Sequence, residues 1–89
     1  MTAETRETLI VATLALLDAA HPYPQSAPQL LIPLKLSGFR ELTEPLLASL
    51  LLDLEEKGWV KPQASDATGE LTRYRRTEDA RAFLRRSGF

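Results

Sequence analysis

The sequence predicts a mainly α domain with one small β-hairpin, in the order helix, helix, helix, strand, strand, helix. Three observations carry this reading. Apolar residues recur at helical spacing near both ends and in the middle of the chain, at Leu9, Ile10, Thr13, Leu14 and Leu17, at Leu47, Leu50, Leu51 and Leu54, and at Ala80, Phe83 and Leu84. Two short segments rich in β-branched and aromatic residues, "WVKPQ" (59–63) and "LTRYRRT" (71–77), flank the turn formers "ASDATGE", with Gly69 near its end. The length, 89 residues with 44% apolar and 26% charged, suits a single globular domain over residues 1–89.

The first helix is expected over residues 4–20. Opposite its apolar stripe lie Val11, Ala12, Ala15 and Ala19, apolar but small. A helix apolar nearly all round is buried on more than one side. Val11, Ala15 and Ala19 are therefore the expected face of a homodimer, the alternative being alanines that merely favour helix on an exposed face. "HPYPQSAP" (21–28) ends this helix, because residues preceding proline avoid helical angles. Ser26 and Gln29 have the spacing of a capping box that opens a second helix near Ala27, with Pro28 tolerated in its first turn. Pro33 in "LLIPLKL" conflicts with a continuous helix and implies either a kink or an extended stretch.

Gly38 marks a turn, and Thr43 is the expected N-cap of the third helix, with Glu44 and Pro45 in its first turn. That helix runs to about Lys57 and closes at Gly58. Residues 59–63 and 71–76 should then pair antiparallel. Thr77 caps the last helix, whose first turn holds Glu78 and Asp79 and whose last holds Arg85 and Arg86, a layout that suits the helix dipole. The expected core is Leu9, Ile10, Leu14, Leu17, Leu31, Leu47, Leu50, Leu51, Leu54, Trp59, Val60, Phe83 and Leu84.

Composition removes several kinds of chemistry. The chain has no cysteine, so disulfides, thiolate metal sites and cysteine nucleophiles are excluded. His21 is the sole histidine and is flanked by Pro22, a poor start for a metal site. The four glycines are isolated and build no phosphate loop. The carboxylates of "DLEE" (53–56) are spread around a helix rather than converged. No catalytic constellation, cofactor site or small-molecule pocket is marked, and Trp59 reads as a core anchor at the start of the hairpin. "MTAETRETL" carries acids where a signal peptide needs positive charge, and the uncharged run from Thr8 to Leu17 is too short for a bilayer. A cytoplasmic, non-enzymatic protein is the expectation.

The junction "LEEKGWV" (54–60) and the strand-to-helix run "YRRTEDARAFL" (74–84) resemble the winged helix-turn-helix superfamily, over roughly residues 5–87. Small bacterial regulators of the MarR, ArsR and PadR types share this pattern, as do compact winged-helix proteins of bacteriophages. The resemblance implies a DNA-binding, transcription-regulating module. Two departures stand out: Arg76 occupies a position where the superfamily commonly has a core-facing Leu, and Ala80 or its neighbour replaces a common Gly.

The distribution of charge divides the function question. The net charge is −1, yet residues 1–70 hold ten acids and five bases, while residues 71–89 hold six arginines against Glu78 and Asp79. The third helix, the one that would enter a DNA groove, presents Thr43, Glu44, Ala48, Ser49, Leu52, Glu55 and Glu56 outward and lacks the Arg, Lys, Asn or Gln that read bases. Two functions compete. In one, Lys61, Arg73, Arg75 and Arg76 on the hairpin grip the phosphates of DNA, with Tyr74 either an aromatic contact or a core residue beneath the hairpin. In the other, the acidic third helix binds a protein partner around an exposed Leu52.

Overall fold

The computed structural model describes residues 2–64 and 72–88. The expected turn around Gly69 and the strand residue Leu71 lie outside the described residues. Among the described residues the elements follow in the order α1 (Ala3–Ala20), β1 (Gln25–Ser26), α2 (Ala27–Leu36), α3 (Glu44–Glu56), β2 (Val60–Ala64), β3 (Thr72–Arg76) and α4 (Glu78–Arg86).

The hydroxyl of Thr2 caps α1 by accepting the Thr5 N–H at 3.1 Å. All five residues of the expected stripe are buried. Thr13 can lie in that stripe because its hydroxyl donates to the Leu9 carbonyl at 2.7 Å, which satisfies the one polar group there. On the small face, Val11, Ala12 and Ala15 are half-buried against the same core, and Ala19 is exposed. Much of the apolar surface that the sequence offered on a second side is thus covered within the chain.

The capping box at the start of α2 forms as expected. The Gln29 N–H donates to the Ser26 hydroxyl, and the Ser26 N–H donates to Gln29 Oε1 at 2.9 Å. The helix runs through Pro33 instead of breaking there. Leu30 and Leu34, one turn apart and on either side of the proline, are both buried in the core, and that packing outweighs the lost backbone hydrogen bond. Leu31, expected in the core, is only half-buried because the i, i+4 pair Leu30/Leu34 sets the inward face.

Thr43 caps α3, accepting the Leu46 N–H at 3.4 Å. The helix closes in a Schellman motif: Trp59 N–H donates to the Leu54 carbonyl at 2.9 Å and Gly58 N–H to the Glu55 carbonyl at 3.0 Å. Gly58 has φ +77°, the left-handed conformation this closure needs and that a Cβ disfavours. The closure fixes where the chain leaves α3, and hence where β2 begins.

The sheet has the order β1-β3-β2 and is antiparallel throughout. The hairpin pairs as expected. The third strand, β1, was not expected, because two residues are too few to show an alternating pattern. Ser26 serves both as its last residue and as the cap of α2. The core comprises Ile10 and the inward leucines of the first three helices with Leu42, Val60, Tyr74, Ala80 and Leu84. Trp59 and Phe83, expected within it, are half-buried at its edge and stack on each other with centroids 4.4 Å apart.

Candidate nucleic-acid interface

The register of the hairpin decides which basic side chains share a face. Lys61 pairs with Arg75 and Gln63 with Arg73, while Val60 pairs with Arg76 and Pro62 with Tyr74. Directly opposed residues of an antiparallel pair point to the same side, and successive residues alternate. Lys61, Gln63, Arg73 and Arg75 therefore lie on the outer face of the sheet, and Val60, Tyr74 and Arg76 on the face toward the core. Lys61 is exposed, and Arg73 and Arg75 are partly exposed. Among the described residues, none of these three forms an ion pair. The Nε of Arg73 is shielded from solvent and has no acceptor among the described residues.

Arg76 does not belong to this set, contrary to expectation. Its side chain is only 5% exposed, and it turns inward with Nε donating to Asp18 Oδ1 at 2.6 Å and Nη1 donating to Glu78 Oε1 at 3.1 Å. Burial pulls its pKa down, but the hydrogen bonds and charges of Asp18 and Glu78 outweigh that and hold it above the ordinary value. The guanidinium stays charged and ties β3 to the end of α1 and the start of α4, where it is unavailable to a phosphate. Tyr74 is likewise a core residue and no surface aromatic. Burial, with a smaller contribution from the nearby negative charge of Glu55, raises its pKa.

The outward side of α3 is as acidic as the sequence implied. Thr43, Glu44, Ser49, Leu52, Glu55 and Glu56 are exposed, and Ala48 is half-buried. The Thr43 hydroxyl is already engaged as the cap. Leu52 is 56% exposed and has acids within one helical turn on its C-terminal side. Leu46, which the reading of this face omitted, is 52% exposed on the flank toward α1. On that same flank Asp53 accepts from Arg6 at 2.7 Å, so one of the helix's acids is paired. No side chain suited to bidentate base recognition stands on this helix.

Three helices, a hairpin hydrogen-bonded to a short strand ahead of the second helix, and a fourth helix make a winged helix-turn-helix fold, here with an acidic third helix beside a basic wing sheet. No family model and no curated protein matches the chain. Among solved structures, a candidate transcriptional regulator from Thermoplasma acidophilum superposes with a TM-score of 0.71, over 92% of this chain and 82% of that one, at 22% sequence identity. The likeness is one of fold. No helix among the described residues is long and apolar enough to cross a membrane. Nor do the described residues hold a group of three or more His, Asp or Glu side chains placed to bind a metal.

Proposed function

We propose that this chain is a non-enzymatic, regulator-like DNA-binding module that holds duplex DNA by its phosphates through the wing sheet, without base readout by α3. The observation that carries this reading is the register that gathers Lys61, Arg73 and Arg75 on one face, unpaired among the described residues. The candidate regulator of the same fold supports it. Phosphate contacts position a protein without specifying sequence, so binding is weakly sequence-dependent. Each contact contributes about 0.9 to the slope of log affinity against log salt, giving a slope of about −3 per subunit. Titration of random duplex DNA across salt concentrations tests this; no binding at about 50 mM salt, where phosphate contacts are strong, rejects it.

A homodimer formed through α1, at Val11, Ala15 and Ala19, would double the number of wings. The half-buried Val11 and Ala15 and the exposed Ala19 support it as a small-residue face. Sedimentation of the wild type beside Val11→Glu and Ala15→Glu should show association that the variants lose. The exposure of Leu52 among acids favours a second reading, a protein-interaction module. In that case Leu52→Glu abolishes capture of a partner, and the wing substitutions do not.

A further inference from the structure

A cleft of about 380 Å³ opens at the root of the wing, between α1, α4 and the segment that joins α3 to β2. Ile10 and Val11 of α1 form one wall, and the stacked rings of Trp59 and Phe83 form the other. Two opposite charges, Glu7 and Lys57, stand at its rim. The Lys57 ammonium lies over the Trp59 ring, 5.3 Å from its centroid. Glu7 and Lys57 do not pair with each other, and neither forms an ion pair among the described residues.

The geometry points to a binding site for a small zwitterion with an apolar body, chemically a free hydrophobic amino acid. The apolar walls and aromatic stack take the side chain, Lys57 takes the carboxylate and Glu7 the ammonium. The volume lies within the range of small-molecule sites, and a few polar groups at the edge of an apolar pocket are what fixes a ligand's orientation. A purely apolar ligand would use neither of the two exposed rim charges, and a singly charged one would use only one of them. The zwitterion answers both, with charge-assisted hydrogen bonds. Trp59 leads directly into β2 and Lys57 is the C-cap of α3, so an occupant would brace the junction on which the wing is mounted.

Trp59 is the protein's sole tryptophan, and its emission reports this cleft alone. The purified chain is titrated, without DNA, with L-phenylalanine and L-leucine, and with 3-phenylpropionate and phenethylamine, which carry one charge each. A saturable change in Trp59 emission is expected with both amino acids, with affinity for the single-charge analogues lower by about tenfold or more. Glu7→Gln and Lys57→Gln are exposed substitutions whose folding is checked by thermal unfolding. Each should weaken L-phenylalanine by a similar factor while leaving its single-charge counterpart, the one that does not use the lost group, unchanged. No saturable change up to about 10 mM, equal affinity for the singly charged analogues, or variants that bind like wild type would each overturn the site. The α1 dimer proposed above shares Val11 with this cleft, so the titration is repeated at several protein concentrations; binding that is lost as the protein associates would also overturn the site, the cleft then being covered by a second copy. None of these readouts depends on DNA, so the site and the wing proposal fail separately.

Discussion

The outward side of α3 carries Glu44, Ser49, Leu52, Glu55 and Glu56, while the outer face of the sheet next to it carries Lys61, Arg73 and Arg75. Both surfaces belong to one contiguous core and both are built by ordinary amphipathic patterning, with period 3.6 on the helix and 2 on the strands. They differ in what solvent sees. The helix leaves acids and one leucine, the strands leave cations, and a polyanion is attracted to one and repelled by the other. Under the proposed function, the wing sheet should supply the affinity for DNA and α3 should supply little or subtract from it.

The largest effect should come from removing the wing's charge. Lys61→Ala, Arg73→Ala and Arg75→Ala combined should lower affinity for random duplex DNA by roughly a hundredfold at low salt and flatten the salt slope toward zero. The folded state should be little changed, since none of the three is tied into an ion pair among the described residues. A triple variant that still binds would break the comparison between the two faces.

Arg76→Ala sharpens the comparison from the other side. It should cost about 1–3 kcal/mol of stability in denaturant unfolding, because it removes a buried guanidinium that joins α1, β3 and α4. DNA affinity of the molecules that remain folded should be unaltered. Arg76→Leu should cost less than Arg76→Ala, since an apolar side chain fills the site without a charge to desolvate. If Arg76→Ala instead lowered DNA affinity at full stability, the division of β3 into an outer and an inner set would be wrong.

Glu44→Gln with Glu56→Gln should leave DNA affinity equal or raise it by about threefold or less, since exposed charges interact weakly through water. A loss of affinity would mean that α3 makes contacts that its residue types do not suggest.

Tyr74→Phe should have the smallest effect, confined to alkaline solution. Burial and Glu55 raise the folded-state pKa of Tyr74 above the ordinary 10.0, so the neutral phenol is the form that the folded state favours. Its contribution to stability is fully present below the unfolded-state value and is lost as pH rises through the raised one. Denaturation midpoints measured from about pH 8 to about pH 11 should therefore fall more steeply for the wild type than for Tyr74→Phe at the upper end.

Most of the fold could be read from the chain because its signals are local. Thr43, Gly58, Thr77 and the Ser26/Gln29 pair mark helix ends by hydrogen bonds that reach three or four residues. The leucine stripes mark inward faces in the same short range. Arg76 shows where such reading stops. Counted as a cation in "TRYRR", it joins Arg73 and Arg75, yet the alternation of that same strand puts it beside Tyr74 on the inner face. The resemblance had already placed it where a core-facing Leu is common, and that signal, weighed with the period of two, would have separated it from the others. Its partner Asp18 is 58 residues away along the chain, which no local pattern reveals.

The sequence by itself determined the order of the four helices and the hairpin, the acidity of α3 and the concentration of arginine toward the C-terminal end, because these follow from residue type and near-neighbour spacing. The tertiary structure alone decided that α2 passes through Pro33, that Gln25 and Ser26 add a third strand, that Arg76 is spent internally, and that Trp59 and Phe83 line an open cleft. Each of those outcomes depends on which distant surfaces meet. Burial of Leu30 and Leu34, or of a guanidinium between two carboxylates, is an energy that exists only once the helices and the sheet have packed together.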